Sequence, residues 1–279
     1  MLKIKPSTSQ NYVSYQAKEL KPAVEGESPV FDRQSRVPKF DQSKLARATV
    51  LLIGAGGIGG EIGEGLVRKD VGHLVISDGD VVQLSNLNRQ HFYENDLYRN
   101  KALSLAKNLV GEGLYSTVIE AYACDFMNML QEALDAYCDI VVCGVDNEEA
   151  RVNACRHFLN KSPVVFTAVD DTADHGYVFI QGKGGRPCYC CLYPDALEGT
   201  GIKRCTPSGA VKDILKAVCG IALYAVDTML MGRPRNWSYR HITLAGFVPE
   251  ACKYPPALPD CPVCGQGVIQ DPRYIEFVV

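Results

Sequence analysis

The run Thr49-Val-Leu-Leu-Ile53, followed at once by Gly54-Ala-Gly-Gly-Ile-Gly-Gly60, constrains this chain more than any other feature. A short β-rich apolar run reads as a buried strand, the glycine cluster as a tight turn, and Glu61 to Lys69 can continue as a helix. Gly54, Gly56 and Gly59 fit the pattern G-x-G-x-x-G, with Gly57 inside it. In such a turn bare backbone can approach phosphates, and the first N–H groups of the helix, at its positive dipole end, are free to bind them. Asp78 lies 19 positions after Gly59, at the end of the next predicted strand, His73 to Ser77. A carboxylate there can accept hydrogen bonds from ribose hydroxyls. The turn alone implies a nucleotide without separating NAD from ATP.

Downstream, the pattern keeps alternating. Lys101 to Val110 has helical spacing, Thr117 to Tyr122 is strand-like and Phe126 to Tyr137 is helical. Asp139 to Val142 is a buried strand running into Gly144-Val-Asp146-Asn147, and Asn147 to Asn160 is helical again. Short apolar strands alternating with helices of this length predict an α/β fold, a Rossmann-like doubly wound, mostly parallel sheet with right-handed crossovers. Pro163 to Ala168 and Tyr177 to Gln181 add strands, the second a candidate antiparallel one; a helix over Gly209 to Met231 and short strands near His241 to Ala245 and Tyr274 to Val278 follow. The polar, aperiodic residues 1–30 read as an extended arm outside the core, and residues 31–279 as a single domain with a nucleotide-binding half, 48–160, and a second half, 161–279.

Composition narrows the function classes. With 47% hydrophobic and 22% charged residues the 279-residue chain has material for one sizeable core. Lysine plus arginine number 29 against 32 acids, for a net charge of -3, so neither nucleic acid nor an anionic membrane is expected as a partner. The opening residues lack the apolar core of a signal peptide. The apolar stretch Ile214 to Met231 is interrupted by Lys216 and Asp227 and reads as a buried helix rather than a span. Two Cys-x-x-Cys pairs, Cys188/Cys191 and Cys261/Cys264, offer four thiolates for tetrahedral Zn²⁺, each in a Gly/Pro turn, which predicts a closed, structural site pinning a C-terminal loop region. Such usage suits a reducing compartment, and the cytoplasm is the expected location. Cys190 sits inside the first pair as a competing ligand. Cys124, Cys138, Cys143, Cys155 and Cys219 read as small buried hydrophobes. His175, after Asp170-Asp171, is placed to touch an incoming peptide, although a lone turn histidine is more often structural.

What separates ATP from NAD is Asp78-Gly-Asp80-Val-Val-Gln-Leu-Ser-Asn86-Leu-Asn88-Arg89-Gln90, which packs carboxylates, an amide and a cation beyond the strand's carboxyl end. This segment resembles the ThiF/MoeB superfamily of ubiquitin-activating-enzyme-like adenylyltransferases, whose pattern runs close to D-x-D-x-V-x-x-S-N-L-x-R-Q. The resemblance continues through Lys101, Asp146-Asn147 with Arg151 one turn later, Cys188-Tyr-Cys-Cys191 and Cys261-Pro-Val-Cys264-Gly-Gln266, covering about Phe31 to Gln266.

The resemblance implies that Asp78 holds the ATP ribose, that Asn86, Arg89 and Lys101 surround the triphosphate, and that Asp146 coordinates Mg²⁺. Asp80, Gln90 and Asn147 join the nucleotide set. Arg33, in Phe31-Asp-Arg33-Gln-Ser-Arg36, falls where the family places an arginine that crosses a homodimer interface to the partner's ATP. Cys205, in a loop ahead of a helix and beside two cations, resembles the family cysteine that takes the activated acyl group. The implied activity is ATP-dependent adenylation of the C-terminal carboxylate of a small ubiquitin-like β-grasp protein ending in Gly-Gly. The adenylate then goes to a thioester passed to a conjugating enzyme, or, with a sulfur donor, to a thiocarboxylate as in molybdopterin or thiamine synthesis. Taken singly, Lys101 is equally a solvated helix-start lysine and Asp146 a helix cap. An NAD-dependent oxidoreductase and a non-catalytic docking protein are the rival readings; the first has no need of Arg89, Lys101 and Asp146 around a triphosphate.

Overall fold

The computed structural model describes residues 11–16, 29–112, 116–129, 138–197, 209–246 and 251–265. The strand–turn–helix unit forms as its local sequence dictates: β2 over Thr49–Ile53, then a helix over Gly57–Arg68, here α3. Before it lie β1, Tyr12–Gln16, and two single-turn helices, α1 (Asp32–Ser35) and α2 (Gln42–Leu45). After it come β3 (His73–Ser77), α4 (Lys101–Glu112), β4 (Val118–Tyr122), β5 (Ile140–Cys143), α5 (Glu148–Phe158), β6 (Val164–Val169), β7 (His175–Gln181), α6 (Tyr189–Leu192), α7 (Lys212–Met231), β8 (Tyr239–Thr243) and β9 (Ala251–Lys253).

All nine strands share one sheet in the order β1-β4-β3-β2-β5-β6-β7-β8-β9. The five central strands, β4 to β6 in that order, are parallel; β1 at one edge and β7, β8 and β9 at the other run antiparallel to their neighbours. The chain winds outward from β2 through β3 to β4, then returns to β5 beside β2 and winds the other way. The direction in which successive strands are added to the sheet therefore reverses between the parallel neighbours β2 and β5, and a crevice opens there beyond their carboxyl ends.

Both faces of the central strands are covered, which explains their unbroken apolar runs. Val50 and Leu52 of β2 pack with α3, α4 and α7, while Leu51 and Ile53 pack on the other face with α5, α6 and the four paired cysteines. The Ile214 to Met231 stretch lies in α7, where Ile214, Leu215, Val218 and Val226 pack in the first of these layers. It is long and apolar enough to cross a membrane by length and composition alone, and its buried face is spent on the sheet and α3.

Several expectations need correcting. Residues 12–16 of the arm form edge strand β1, with Val13 and Tyr15 packed against the core; their partner strand lies about a hundred positions away, beyond the reach of local periodicity. The helix expected from Phe126 begins as a single 3₁₀ turn, Phe126–Asn128, and residues 130–137 lie outside the described set. The short strand β9 went unforeseen, and the strand expected at Tyr274 to Val278 is also outside that set.

Candidate active site

The crevice between β2 and β5 is a cleft of about 840 Å³. Gly54, Gly56 and Gly57 form its floor, Asp78 and Asp80 follow β3, Arg89 and Gln90 come from the next loop, Lys101 opens α4, and Asp146 and Asn147 follow β5. Sequence positions spread over nearly a hundred residues are thus gathered at the carboxyl ends of three neighbouring parallel strands.

Two of the glycines have different jobs. A Cβ on Gly59 would lie 2.0 Å from the Gly54 carbonyl oxygen, so this residue allows α3 to pack against the strand and does not line the cleft. A Cβ on Gly56 would meet nothing nearer than Gln90 Nε2 at 3.8 Å, so its bareness keeps space open above the turn. Gln90 Oε1 is buried without a hydrogen-bond partner among the described residues.

Asp78 accepts hydrogen bonds from the Ala55 N–H at 2.7 Å and the Asp80 N–H at 2.8 Å, fixing the turn against the next loop. Burial pushes its carboxyl above the usual aspartate value, opposed by those two N–H groups and by Lys101. Each oxygen keeps a lone pair for a further donor. Lys101 Nζ sits 2.8 Å from Asp80 Oδ2, its side chain mostly covered while Asp80 is exposed. Arg89 is aimed by Nη1, which donates to the Ser85 carbonyl at 2.7 Å and to Asn88 Oδ1 at 2.9 Å.

Asn86 does not line the cleft. It is buried, and its Oδ1 accepts the Gln83 N–H at 2.9 Å, while its carbonyl accepts the N–H groups of Arg89 and Gln90. It therefore shapes the loop that carries those two. Asn147 lines the cleft but is the N-cap of α5, accepting the Ala150 N–H at 3.0 Å, which frees Asp146 from that duty. Asp146 is exposed at the mouth and makes no side-chain hydrogen bond or ion pair among the described residues. Arg33 lies on α1 with its side chain 87% exposed, against Asp32 at 3.9 Å, and is not part of this chain's own cleft. Cys205 and Gln266 lie outside the described residues.

The far wall was largely invisible in the sequence. His175 and Tyr177 of β7 and His241 of β8 reach it, with Tyr189 and Tyr193 around α6. The rings of His175 and His241 stack 5.4 Å apart, and His175 Nδ1 and the Tyr177 hydroxyl are buried without partners among the described residues. Behind them Arg151 donates to the Val145 carbonyl at 2.7 Å and to Glu148, and Glu148 accepts the Tyr189 hydroxyl at 2.8 Å, locking the β5–α5 corner.

Away from the cleft, the four paired cysteines form one buried cluster. Cys188 Sγ lies 3.9 Å from Cys191 and 3.6 Å from Cys261, and Cys191 lies 3.4 Å from Cys264. Tetrahedral thiolates at about 2.3 Å from an ion place their sulfurs about 3.8 Å apart, so the spacing fits Zn²⁺. Arg186 ties the two loops together by donating to the carbonyls of Leu258 and Pro259.

Comparison with known proteins agrees with this architecture. The model of the ThiF family matches residues 31–263. The sulfur carrier protein adenylyltransferase of Thermus thermophilus is 34% identical over 266 residues, covering 86% of this chain and 92% of its own. The adenylyltransferase and sulfurtransferase MOCS3-1 of Zea mays is 26% identical over 261 residues, covering 86% of this chain. This chain spans about half the length of that relative, 52%. Among solved structures, Escherichia coli MccB with ATP superposes with a TM-score of 0.70 at 19% identity, covering 86% of this chain and 75% of that one, which is a likeness of fold. By the family match over most of its length and the Thermus relative's identity, the chain belongs to the ThiF family.

Proposed function

We propose that the cleft binds ATP with Mg²⁺ and transfers its adenylyl group to the C-terminal carboxylate of a small β-grasp, ubiquitin-like protein. One observation carries the reading: Lys101, Arg89, Asp80 and Asp146 converge on the glycine turn at the sheet's switch point, a charge set that hydride transfer does not require. A carboxylate oxygen of the partner attacks the α-phosphorus of ATP; a new P–O bond forms, the bond to the β-phosphate oxygen breaks, and its electron pair leaves on pyrophosphate. Negative charge then grows on phosphoryl oxygens, where the Lys101 ammonium and Arg89 guanidinium stabilise it. The glycine turn supplies N–H groups to the phosphates and Asp78 an acceptor for ribose. Asp146, exposed and unpaired among the described residues, suits Mg²⁺, a hard cation that prefers carboxylate oxygen. When bound, that ion neutralises triphosphate charge.

In this reading residues 48–160 serve the nucleotide, and the far wall, from residues 161–279, receives a Gly-Gly tail. The names of the Thermus and maize relatives favour sulfur-carrier activation, with a sulfur donor completing a thiocarboxylate. Cys205 is the acceptor in the alternative thioester branch. The 87% exposure of the Arg33 side chain leaves it free to reach the cleft of a second copy in a homodimer. The four-thiolate cluster holds a structural Zn²⁺, because a closed thiolate set leaves no position for water.

The test is Mg²⁺-dependent exchange of labelled pyrophosphate into ATP in the presence of small β-grasp proteins ending in Gly-Gly. Exchange with one member of the panel establishes adenylation and names the partner. Preferential binding of NAD over ATP would overturn the reading. Cys205→Ala is expected to keep exchange and to lose any thiol-sensitive acyl adduct.

A further inference from the structure

Four thiols complete a tetrahedral site, yet the structure gathers six. Cys155 on α5 and Cys190 on α6 are both fully buried, and their sulfurs lie 3.7 Å apart. The sulfurs of Cys155, Cys188 and Cys190 lie within 4.8 Å of one another. Cys188 thus belongs to two groups at once, because it also faces Cys191 and Cys261. Three thiolates around one ion at about 2.3 Å sit about 4.0 Å apart in a plane, a spacing this trio can adopt with small rotations. Two other core cysteines are placed differently: Cys138 faces the Ser162 hydroxyl and Cys219 the Ile58 carbonyl, as small buried hydrophobes with a weak S–H donor.

We propose that Cys155, Cys188 and Cys190 form a second binding site for a soft closed-shell cation, Zn²⁺ or Cu⁺, with Cys188 as a thiolate bridging it to the ion held by the two Cys-x-x-Cys pairs. Thiolate-only donor sets select such ions over the hard cations that the carboxylates of the cleft prefer. The surroundings reinforce the choice: Phe158, Phe166 and Tyr189 belong to the same buried cluster, which shields the trio from water. The site rests on the four-thiolate reading through Cys188 alone, since Cys155 and Cys190 take no part in the first set. Each of these two gives up a proton as the second ion binds.

The experiment counts ions per chain by native mass spectrometry, with elements assigned by plasma mass spectrometry. The intact protein is loaded anaerobically with Zn²⁺ alone, and in a second arm the zinc form is titrated with Cu⁺. Two ions per chain in either arm are expected, and the arm that reaches two identifies the cation. Cys190→Ala and Cys155→Ala are each expected to reduce the count to one while the first ion stays. A count of one in both arms for the unaltered protein overturns the second site and leaves the first standing, and this reading needs no variant. Retention of two ions in both variants also overturns it. A count of zero removes the four-thiolate reading together with the one built on it.

Discussion

At the scale of single residues, the glycine turn separates two demands that the pattern G-x-G-x-x-G runs together. Gly59 is a packing residue: a methyl there collides with the backbone of Gly54, and Gly59→Ala should destabilise the fold by about 1–3 kcal/mol, the usual cost of overpacking. Gly56 faces open space above the turn, so Gly56→Ala should leave the melting temperature within a few degrees and weaken nucleotide binding. Thermal melts with and without ATP check both, and equal losses of stability would contradict the division. Asp146→Ala should reduce pyrophosphate exchange by about 10²-fold or more with the fold retained, in line with loss of one charge-stabilising group; near-normal exchange would remove it from the metal site. The placements were legible in part. Asp78 and Lys101 line the cleft where their motif positions put them, whereas the turn and cap hydrogen bonds of Asn86 and Asn147 were hidden, because an amide that caps a turn and one that faces a phosphate occupy the same kind of loop sequence.

At the scale of elements, local signals sufficed wherever a unit closes on itself. The runs around Thr49, His73 and Ile140 became strands, and Lys101 to Val110 and Asn147 to Asn160 became helices with ends shifted by a residue or two. The antiparallel edge strand β1 depends on a partner far along the chain, and so does the far wall, whose His175, Tyr177 and His241 meet only once β7 and β8 pair. The β3–β4 pair also carries a titratable contact. His73 Nε2 lies 3.6 Å from Glu120 Oε2, and the approach of that ring, against the opposing effect of burial, holds the Glu120 carboxyl below its usual 4.5. Because the folded value is depressed, the stability it contributes is present above about pH 4.5 and is lost as the pH falls through the folded value. Melting curves of Glu120→Gln and the unaltered protein should therefore converge as the solution is acidified below that point, and a constant gap would count against the coupling.

At the scale of the whole molecule, the two Cys-x-x-Cys loops join positions 73 residues apart, Cys188 to Cys261 and Cys191 to Cys264. A metal clip of the kind proposed there would act on the layer that also contains α5 and Phe166, so treatment with a strong chelator should lower the melting temperature, since binding energy at such a site is folding energy. Restoration by added Zn²⁺ distinguishes loss of the ion from damage to the thiols, and an unchanged melt would argue that the cluster is held by packing alone. Among the described residues the sheet ends on β9 at one side and on β1 at the other. At one, β9 is only three residues long; at the other, β1 pairs with all five residues of β4. A chain shortened to begin at Phe31 would keep its cleft and both cysteine loops but would bare a row of unpaired backbone groups along Val118–Tyr122. Such a row templates strand addition from any neighbour. The polar arm, with no periodicity of its own to recommend it, is in this sense the selvedge of the sheet, and its removal should be felt first as turbidity at high protein concentration.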